Sequence, residues 1–282
     1  MTRAPVLVTG AQGFLGRQVV AHLNAAGWPV LGAARRIPGE GPGVRLDLDA
    51  PELASHLERL PQIDSIVHLA AKVDFGVSEV SPLFQTNVVA TALLAEFARR
   101  RGIRLVFAST ALVAGVGAER IDASTPPNPD TPYARSKWLA ESLIEASGVD
   151  AAILRIGGIF GLYGPGHLGL NRALAGVLAG TPPTVVGAGT ALRNYVSVAD
   201  VAAIILDVIA RRVSGTHLVA GSEVSSVGGM LDSICKVFLP GVSPQHQDGA
   251  PGKDQVIEAS SALLRARPFR AALECIRGEA GR

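Results

Sequence analysis

The sequence predicts an α/β protein in which a doubly wound parallel sheet carries a smaller lobe at its C-terminal end. Short runs rich in β-branched residues alternate with segments of helical periodicity through the first half of the chain. The first run leads directly into a glycine-rich turn, and in the second half the connections become rich in Gly and Pro. Because alternating strands and helices favour right-handed crossovers, the sheet is expected to be parallel and covered on both faces. We predict a main domain at 1–160 and a smaller lobe at 161–282, partly interleaved with it.

Each predicted element follows from its residue pattern. The predicted strands are apolar, β-branched stretches, as expected for strands buried in a parallel sheet; in chain order they are 5–10, 29–34, 65–71, 103–110, 151–161 and 215–221. The predicted helices repeat apolar residues at three- and four-residue intervals; they are Phe14–Ala26, Pro51–Leu60, Phe84–Arg101, Pro132–Ala146, Asn171–Ala179 and Val198–Ala210.

Composition excludes several classes of protein. Of the 282 residues, 48% are hydrophobic and 18% charged, which is typical of a compact globular chain, and a net charge of +2 gives no reason to expect a nucleic-acid surface. The two cysteines, Cys235 and Cys275, are far apart and outside metal-ligand spacing, and the six histidines are scattered, so we expect no metal and a reducing compartment. Neither a signal peptide nor an apolar stretch of membrane-spanning length is evident. We therefore expect a cytoplasmic protein without a membrane partner.

The turn after the first strand has the pattern of a dinucleotide site. The segment VLVTGAQGFLG places glycines at 10, 13 and 16, after a strand and at the start of a helix. Gly10 permits a tight turn, Gly13 lets the backbone approach a pyrophosphate, and Gly16 allows close packing of helix on strand. The helix N-terminus then offers unpaired N–H groups to the phosphates. This context predicts a Rossmann-type cofactor site that also includes the neighbouring Gln12, Phe14 and Leu15.

The end of the second strand indicates which dinucleotide binds. An NAD enzyme usually has an acidic residue there, but the sequence GAARR places Ala34 at that position, followed by Arg35 and Arg36. A guanidinium can bind a 2′-phosphate bidentately, so we favour NADP, with NAD possible; the alternative is two surface arginines in a loop. Asp47, followed by Leu48, could accept a hydrogen bond from an adenine amino group or could serve as an ordinary helix cap.

A tyrosine and a lysine lie one helical turn apart in the segment TPYARSKWLAE. Tyr133 and Lys137 are i and i+4, so they share a face if the segment is helical. The chain has three tyrosines and four lysines, which makes the pairing suggestive. The alternative is an amphipathic helix whose two residues are incidental.

The motifs as a set resemble a known family. TGAQGFLG, HLAA, TNVVAT, FASTALVAG, YARSK, LRIGGIFGLYGPG and RNYVSVADVA occur in the order and spacing typical of the extended short-chain dehydrogenase/reductases. This group contains nucleotide-sugar epimerases, dehydratases and 4-ketoreductases. The resemblance covers nearly the whole chain and becomes weaker after about Gly221.

The resemblance implies a catalytic triad. Thr110, next to Ser109 at a strand end, would bind the substrate oxygen, Tyr133 would exchange a proton with it, and Lys137 would hold the nicotinamide ribose. A free tyrosine titrates near pH 10. An ammonium about 4 Å away is worth about 4 kcal/mol at an effective dielectric near 20, which would lower the pKa of Tyr133 by roughly three. We therefore expect Lys137 to bring the phenol into working range.

The resemblance also implies softer assignments. Leu69, Ala70 and Ala71 would form a wall against the adenosine and pyrophosphate, although they would also fit a strand-end core. Gly157 to Gly161 would lie beside the nicotinamide carboxamide, with Ile156 and Gly158 as cofactor contacts, and Asn87 would link strands. Further expected substrate contacts are Ser109, Thr110, Asn171 and Arg193. Arg193 would bind a substrate phosphate or, alternatively, form a salt bridge with Asp200.

These observations predict an NADP-dependent oxidoreductase acting at a carbonyl or secondary alcohol of a small-molecule substrate, with 4-ketoreduction of a nucleotide-linked sugar favoured. The alternatives are a C4 epimerase with tightly bound NAD, a reductase of a non-sugar ketone or acyl thioester, and a non-catalytic nucleotide sensor. Ala114 stands where sugar-modifying members often have tyrosine, and Ala111 and Leu112 stand where dehydratases have an Asp–Glu pair, so dehydration is not expected. Family resemblance also implies a homodimer formed through the helices Phe84–Arg101 and Pro132–Ala146.

Overall fold

The computed structural model describes residues 3–35, 43–73, 80–250 and 252–281. Its main strands are β1 (Val6–Thr9), β2 (Val30–Ala34), β3 (Gly43–Arg45), β4 (Ser65–His68), β5 (Arg104–Thr110), β7 (Ala151–Ile156) and β12 (Gly215–Val219). Shorter strands are β6 (Arg120–Ile121), β8 (Ile159–Phe160), β9 (Thr184–Val186), β10 (Leu192–Arg193), β11 (Val196–Ser197), β13 (Ser225–Ser226), β14 (Gln245–Gln247) and β15 (Val256–Ile257).

Nine α-helices lie in the described part of the chain. They are α1 (Phe14–Ala25), α2 (Leu53–Glu58), α3 (Val80–Phe84), α4 (Ala90–Arg101), α5 (Pro132–Ser147), α6 (Gly169–Leu178), α7 (Val198–Arg211), α8 (Val227–Phe238) and α9 (Phe269–Ala280). A π-helical turn, Gln85–Val89, joins α3 to α4, and a 3₁₀ turn, Ala111–Ala114, follows β5. No helix among the described residues is both long enough and apolar enough to cross a membrane.

The main strands form one seven-stranded sheet in the order β12-β7-β5-β4-β1-β2-β3. The pairings of β1 with β2 and β4 are parallel, as are those of β2 with β3 and of β4 with β5. All residues of β1 and β4 are buried, because a parallel sheet covered on both faces leaves no solvent side. The strand order reverses at β1, which places the ends of β1 and β4 beside a crevice. The predicted α/β fold is confirmed.

The chain divides into two compact units. The first comprises Met1–Val116, Pro126–Arg155 and Ile205–His217, and its largest side chains with almost no exposure include Phe97 and Phe107. The second comprises Gly117–Thr125, Ile156–Ile204 and Leu218–Arg282. The domain boundary predicted at residue 160 stays a prediction.

The second unit has a core of its own, built by three helices. Residues of α6, α8 and α9 contribute buried side chains to one cluster, in which the rings of Phe160 and Phe269 lie 4.9 Å apart. The sequence analysis did not predict α8 and α9. A signal for α8 was present, since the Ser226 hydroxyl accepts a hydrogen bond from the N–H of Gly229 (3.1 Å) and so caps the helix.

The helix predicted at Phe84–Arg101 also differs from the structure. Helical residues begin earlier, at Val80, and the π-helical turn interrupts them before Ala90. Apolar periodicity alone does not reveal a π turn, because the turn changes the helical phase by about one residue. This turn contains Asn87, which belongs to the site described next.

Candidate active site

The glycine turn after β1 leaves space only for glycine at two positions. Gly10 has φ +69°, and a Cβ there would lie 2.8 Å from the amide nitrogen of Ala70. A Cβ on Gly16 would overlap the carbonyl oxygen of Gly10, because α1 passes directly over the turn. The turn itself is closed by the N–H of Gly13, which donates to the carbonyl of Gly10 (2.9 Å). These contacts fit the roles that the sequence predicted for Gly10 and Gly16.

The N-terminus of α1 faces the same turn. Gly13 is the N-cap residue and offers no side chain to its own helix, and the first turn of α1 has no acidic residue. Phe14 and Leu15 are the first two helical residues, and the carbonyl of Gln12 accepts a hydrogen bond from Arg17 (3.0 Å). The first amides of α1 therefore remain suited to a phosphate group.

An open cavity of about 1120 Å³ extends from this turn along the ends of the strands. It is large enough for a dinucleotide half, since ligand pockets commonly measure about 300–1,000 Å³. Its lining combines the glycine turn, the ends of β2 and β3 and the segment after β4: Thr9, Gly10, Gln12, Gly13, Ala33, Ala34, Arg35, Arg45, Leu46, Asp47, Leu48, Asp49, Leu69, Ala70, Ala71, Lys72 and Thr86. The structure thus brings most of the predicted cofactor residues of the first unit to one cavity.

Two arginines line one end of the cavity. Arg35 follows β2, and Arg45 ends β3 directly opposite Ala34 in the parallel register. The sequence analysis missed Arg45, because only the pairing of β2 with β3 places it there. Arg36 lies outside the described residues. Asp47 accepts a hydrogen bond from the N–H of Asp49 (3.1 Å), so it stabilises a local turn while also lining the cavity.

A second charged cluster in the cavity was not predicted. Lys72 forms a salt bridge with Asp49 (2.8 Å), and the Thr86 hydroxyl donates to the same carboxylate. Burial alone would raise the pKa of Asp49, but the hydrogen bonds from Lys72 and Thr86 outweigh it and hold that pKa below its usual value. The carboxylate therefore stays charged and ties Lys72 to the cavity wall.

A directed chain of hydrogen bonds supports the wall formed by Ala70. Thr91 donates its hydroxyl proton to the carbonyl of Asn87 (2.7 Å), so it accepts from His68 Nε2 (2.9 Å). His68 Nδ1 then accepts from Thr9 (2.7 Å), whose oxygen also receives the N–H of Ala70 (3.3 Å). Burial, with a smaller contribution from the Lys137 charge, lowers the pKa of His68 to about 3. His68 is therefore neutral, and its role is structural.

Asn87 connects this wall to helix α5. Its side-chain oxygen accepts from the N–H of Lys72 (2.8 Å), and its amide donates to the carbonyl of Lys72 (2.9 Å) and to the Ser136 hydroxyl (3.0 Å). Ser136 donates in turn to the carbonyl of Tyr133 (2.7 Å). The predicted linking asparagine thus joins the segment after β4 to the turn that carries the tyrosine.

Helix α5 presents Tyr133 and Lys137 from its first two turns. The Thr131 hydroxyl caps the helix by accepting from the N–H of Ala134 (3.1 Å), and Pro132 occupies the first turn, where a missing N–H costs nothing. Tyr133 is half-buried, whereas Lys137 is buried, with its Nζ 3.9 Å from the ring centroid of Phe107. The predicted helix is present, and both side chains leave it with the expected spacing.

The pKa of Tyr133 is shifted in the direction opposite to the expected one. Burial raises the pKa of Tyr133 to about 12 and lowers the pKa of Lys137 to about 7. The expectation that Lys137 would lower the pKa of Tyr133 is therefore wrong for the protein alone. The physical reason is that desolvation penalises the phenolate and the ammonium alike. The phenol is protonated at neutral pH.

The two hydroxyls at the end of β5 have different partners. Thr110 accepts a hydrogen bond from the N–H of Leu112 (3.2 Å), which leaves its own proton available to an oxygen acceptor. Ser109 points to the opposite side of the strand and donates to the buried carboxylate of Glu141. The geometry suits Thr110 for the predicted hydroxyl role better than Ser109.

The remaining predicted residues belong to the second unit. Gly158 packs against the ring of Tyr195, and Ile156 is buried. Asn171 is also buried and accepts from the N–H of Gly161 (3.0 Å), so its side chain braces a loop. Their cofactor and substrate roles stay predictions.

Arg193 donates to the carbonyls of Leu192 (3.0 Å) and Lys253. Asp200 is bonded to Arg267 (2.6 Å) and to Ser197 (2.6 Å). The alternative that paired Arg193 with Asp200 is therefore wrong, because other residues occupy that carboxylate.

Known proteins resemble this chain along most of its length. Residues 6–221 match the NAD dependent epimerase/dehydratase family. UDP-glucose 4-epimerase of Azospirillum brasilense is 29% identical over an alignment of 296 residues, and the match covers 90% of this chain and 85% of that protein. The dTDP-6-deoxy-L-talose 4-dehydrogenase (NAD(P)(+)) of Kitasatospora kifunensis is 34% identical over 222 residues, covering 70% and 67%. The structure of the Thermus thermophilus UDP-glucose 4-epimerase with NAD is similar over 98% of each chain, with 26% identity and a TM-score of 0.79.

Proposed function

Because the chain belongs to the NAD-dependent epimerase/dehydratase family, we propose that it is a 4-ketoreductase, transferring hydride between NADP and a nucleotide-activated sugar. The observation that carries this proposal is the placement of Thr110, Tyr133 and Lys137 in the unit that also holds the glycine turn. Thr110 ends β5, and the other two leave one face of α5. The alternative reactions occur in the same family, so family membership alone does not select the reaction type.

The protonated phenol is the form of Tyr133 that a carbonyl reduction needs. When bound, the nicotinamide supplies the hydride that reaches the carbonyl carbon. Thr110 donates a hydrogen bond to the carbonyl oxygen, and Tyr133 gives that oxygen its proton. Burial raises the pKa of Tyr133 to about 12, so the phenol holds a proton to give at neutral pH. Lys137, once protonated, stabilises the phenolate that remains and binds the ribose hydroxyls.

The preference for NADP rests on Arg35 and Arg45. Both arginines line the cavity. Ala34, which precedes Arg35 in the chain and lies opposite Arg45 in the sheet, offers no carboxylate to repel a 2′-phosphate. Asp49 lines the cavity too, but its negative charge is neutralised by the salt bridge with Lys72. The name of the Kitasatospora relative includes both NAD and NADP. These facts support NADP without excluding NAD.

The nucleotide-sugar substrate rests on the relatives and on Arg193. The Azospirillum and Kitasatospora relatives are named for a UDP-linked and a dTDP-linked sugar. Within the described chain the Arg193 guanidinium donates to two backbone carbonyls and forms no salt bridge, so no carboxylate neutralises its charge there. Ala111 and Leu112 supply no carboxylates after Thr110, so the chain lacks the acid–base pair that water elimination would need there.

The test is a coupled measurement of cofactor and substrate. Purified protein is incubated with NADPH and a panel of UDP- and dTDP-linked 4-keto sugars while absorbance at the nicotinamide band is followed. The proposal expects NADPH oxidation with at least one member of the panel. Unchanged absorbance across the panel would contradict it.

The second candidate is a C4 epimerase with tightly bound NAD. Its specific support is the Azospirillum epimerase, 85% of whose length aligns with this chain. The same triad serves both reactions, since an epimerase returns the hydride to the other face of the intermediate. Cofactor that copurifies, with turnover of a nucleotide sugar in the absence of added NADPH, would favour this candidate over the reductase.

We also propose a homodimer formed through α4 and α5. Trp138, Leu139 and Leu143 on α5 each expose between 36% and 40% of their surface. Apolar side chains clustered on one helix commonly mark an interface. Sedimentation equilibrium should give a dimer for the wild type and a monomer for Leu143→Glu, and a monomeric wild type would contradict the proposal.

A further inference from the structure

A buried carboxylate continues the face of α5 that carries Tyr133 and Lys137. Glu141 lies four residues after Lys137, so the three side chains follow one another at intervals of one helical turn. Only 1% of Glu141 is exposed. Sequence reasoning gave this residue no role, because a Glu four positions after a Lys usually forms a solvent-exposed ion pair.

The Glu141 carboxylate is held by residues of two strands. Arg155 of β7 donates to Oε2 from Nη2 (2.8 Å) and from Nε (3.1 Å), which is a fork-like arrangement. Ser109 of β5 donates to Oε1. Since a buried carboxylate without partners would cost several kcal/mol, these donors offset the burial of Glu141.

Among the described residues, Glu141 is the one charged group that appreciably shifts the pKa of Lys137. Phe107 of β5 places an aromatic ring at 3.9 Å, His68 of β4 is neutral, and Tyr133 on α5 keeps its proton at neutral pH. Glu141 contributes a negative charge on the same helix, and Arg155 partly offsets it from β7. The charge of Lys137 is therefore set by burial, which disfavours the ammonium, and by the Glu141 carboxylate, which favours it.

We propose that Glu141, braced by Arg155 and Ser109, is a positioning residue that favours the protonated form of the buried Lys137 amine. The residue touches neither substrate nor cofactor and acts through Lys137. This inference rests on the proposed role of Lys137 in catalysis, but the charge coupling itself is a property of the folded chain.

Replacing Glu141 and replacing Arg155, the two partners of one ion pair, should shift the pKa of Lys137 in opposite directions. Burial lowers the pKa of Lys137, and the Glu141 charge raises it again in part. Glu141→Gln removes the anion and leaves the Arg155 cation, so Lys137 should lose its proton at a lower pH. Arg155→Met removes the cation and leaves the anion, so Lys137 should lose its proton at a higher pH.

The chain is well suited to a direct measurement, because it has only four lysines, Lys72, Lys137, Lys236 and Lys253. Protein labelled with ¹³C at lysine Cε is titrated by NMR, and the Lys137 signal is assigned as the one missing from Lys137→Met. We expect its midpoint to fall by about one pH unit in Glu141→Gln and to rise in Arg155→Met. Ser109→Ala, which alters no charge, and Glu141→Asp, which keeps the charge, should leave the midpoint near that of the wild type.

The result that would overturn the inference is a Lys137 midpoint that stays unmoved or rises in Glu141→Gln. A purely structural ion pair would lower stability in both variants without opposite titration shifts, and circular dichroism at each pH verifies that each variant is folded. If the titration behaves as expected while the keto-sugar assay shows no activity, the proposed function fails and the coupling stands. If the protein is active, the alkaline limb of kcat/KM should move with the Lys137 midpoint.

Discussion

The Nζ of Lys137 lies 3.9 Å from the ring centroid of Phe107, so an amine one helical turn after Tyr133 is enclosed by protein. Burial lowers the pKa of Lys137 and raises the pKa of Tyr133.

Replacing Tyr133 by Phe removes the hydroxyl of the proposed proton donor and keeps its aromatic ring. We expect kcat of keto-sugar reduction to fall by about 10²–10⁴-fold, because that is the usual contribution of a general acid. NADPH binding, measured by fluorescence titration, should change little. Tyr163→Phe is the matched control, since Tyr163 is 85% exposed and should tolerate the change. A Tyr133→Phe protein with more than a tenth of wild-type kcat would exclude the phenol as the essential acid.

Stability should rise with pH between about 7 and 10 because of Lys137. Its pKa is lowered to about 7 in the folded protein, whereas the unfolded chain keeps the proton up to the ordinary value of 10.5. The unfolded state therefore binds more protons in this window, and the free energy of unfolding rises by at most about 1.4 kcal/mol per pH unit.

Urea unfolding of the wild type and of Lys137→Met, measured from pH 7 to 9.5, checks this sign. The difference in unfolding free energy between the two proteins should change steadily with pH in favour of the wild type. Lys236→Met, at an exposed lysine, should run parallel to the wild type. Parallel curves for Lys137→Met would mean that Lys137 is charged in the folded state throughout the range.

Removing a positive charge beside Ala34 should weaken binding of a 2′-phosphate selectively. In Arg35→Gln and Arg45→Gln we expect the Kd of 2′,5′-ADP to rise about 10- to 100-fold, because a charge-assisted hydrogen bond to phosphate is worth about 1.5–3 kcal/mol. Calorimetric binding of 5′-AMP should be unaffected, and Arg59→Gln, at an exposed arginine outside the cavity lining, serves as the control. Equal weakening of both nucleotides would argue for a general charge effect and against an NADP-specific site.

A methyl group at Gly16 should be harmful, although helices generally favour alanine. The added Cβ would overlap the carbonyl oxygen of Gly10, so α1 must move away from the turn. We expect Gly16→Ala to lower the melting temperature by several degrees and to abolish measurable nucleotide binding. Gly278→Ala in α9 meets nothing within 4 Å, and it should stabilise the chain by about 0.5–1 kcal/mol. A Gly16→Ala protein with normal nucleotide affinity would show that the turn is not the phosphate site.

Local patterns explain what could be predicted from the sequence. The glycine turn, its flanking strand and its helix lie within residues 6–25, and the strand–helix alternation predicts the parallel sheet. The membership of the chain in its family, and its assignment as an enzyme, are confirmed. The catalytic and binding assignments stay predictions that the variants above are designed to test.

Long-range contacts explain the rest. Ser109 and Glu141 are 32 residues apart, and Asp49 and Lys72 are 23 apart, so no local pattern couples them. Arg45 lies opposite Ala34 only through the register of β2 and β3. The direction of the Tyr133 pKa depended on burial, which a helical spacing of four residues does not reveal. Helices α8 and α9 bury their apolar faces in a second core that the weaker late part of the resemblance gave little reason to expect.

The π-helical turn at Gln85–Val89 makes the length of its segment as important as its composition. A π turn amounts to one extra residue in an α-helix, and each residue of an α-helix advances the rotation by about 100°. Deleting a single residue there would restore regular winding and rotate Asn87 away from Lys72 and Ser136 relative to α4. Point substitutions around the turn should consequently be tolerated far better than any one-residue deletion.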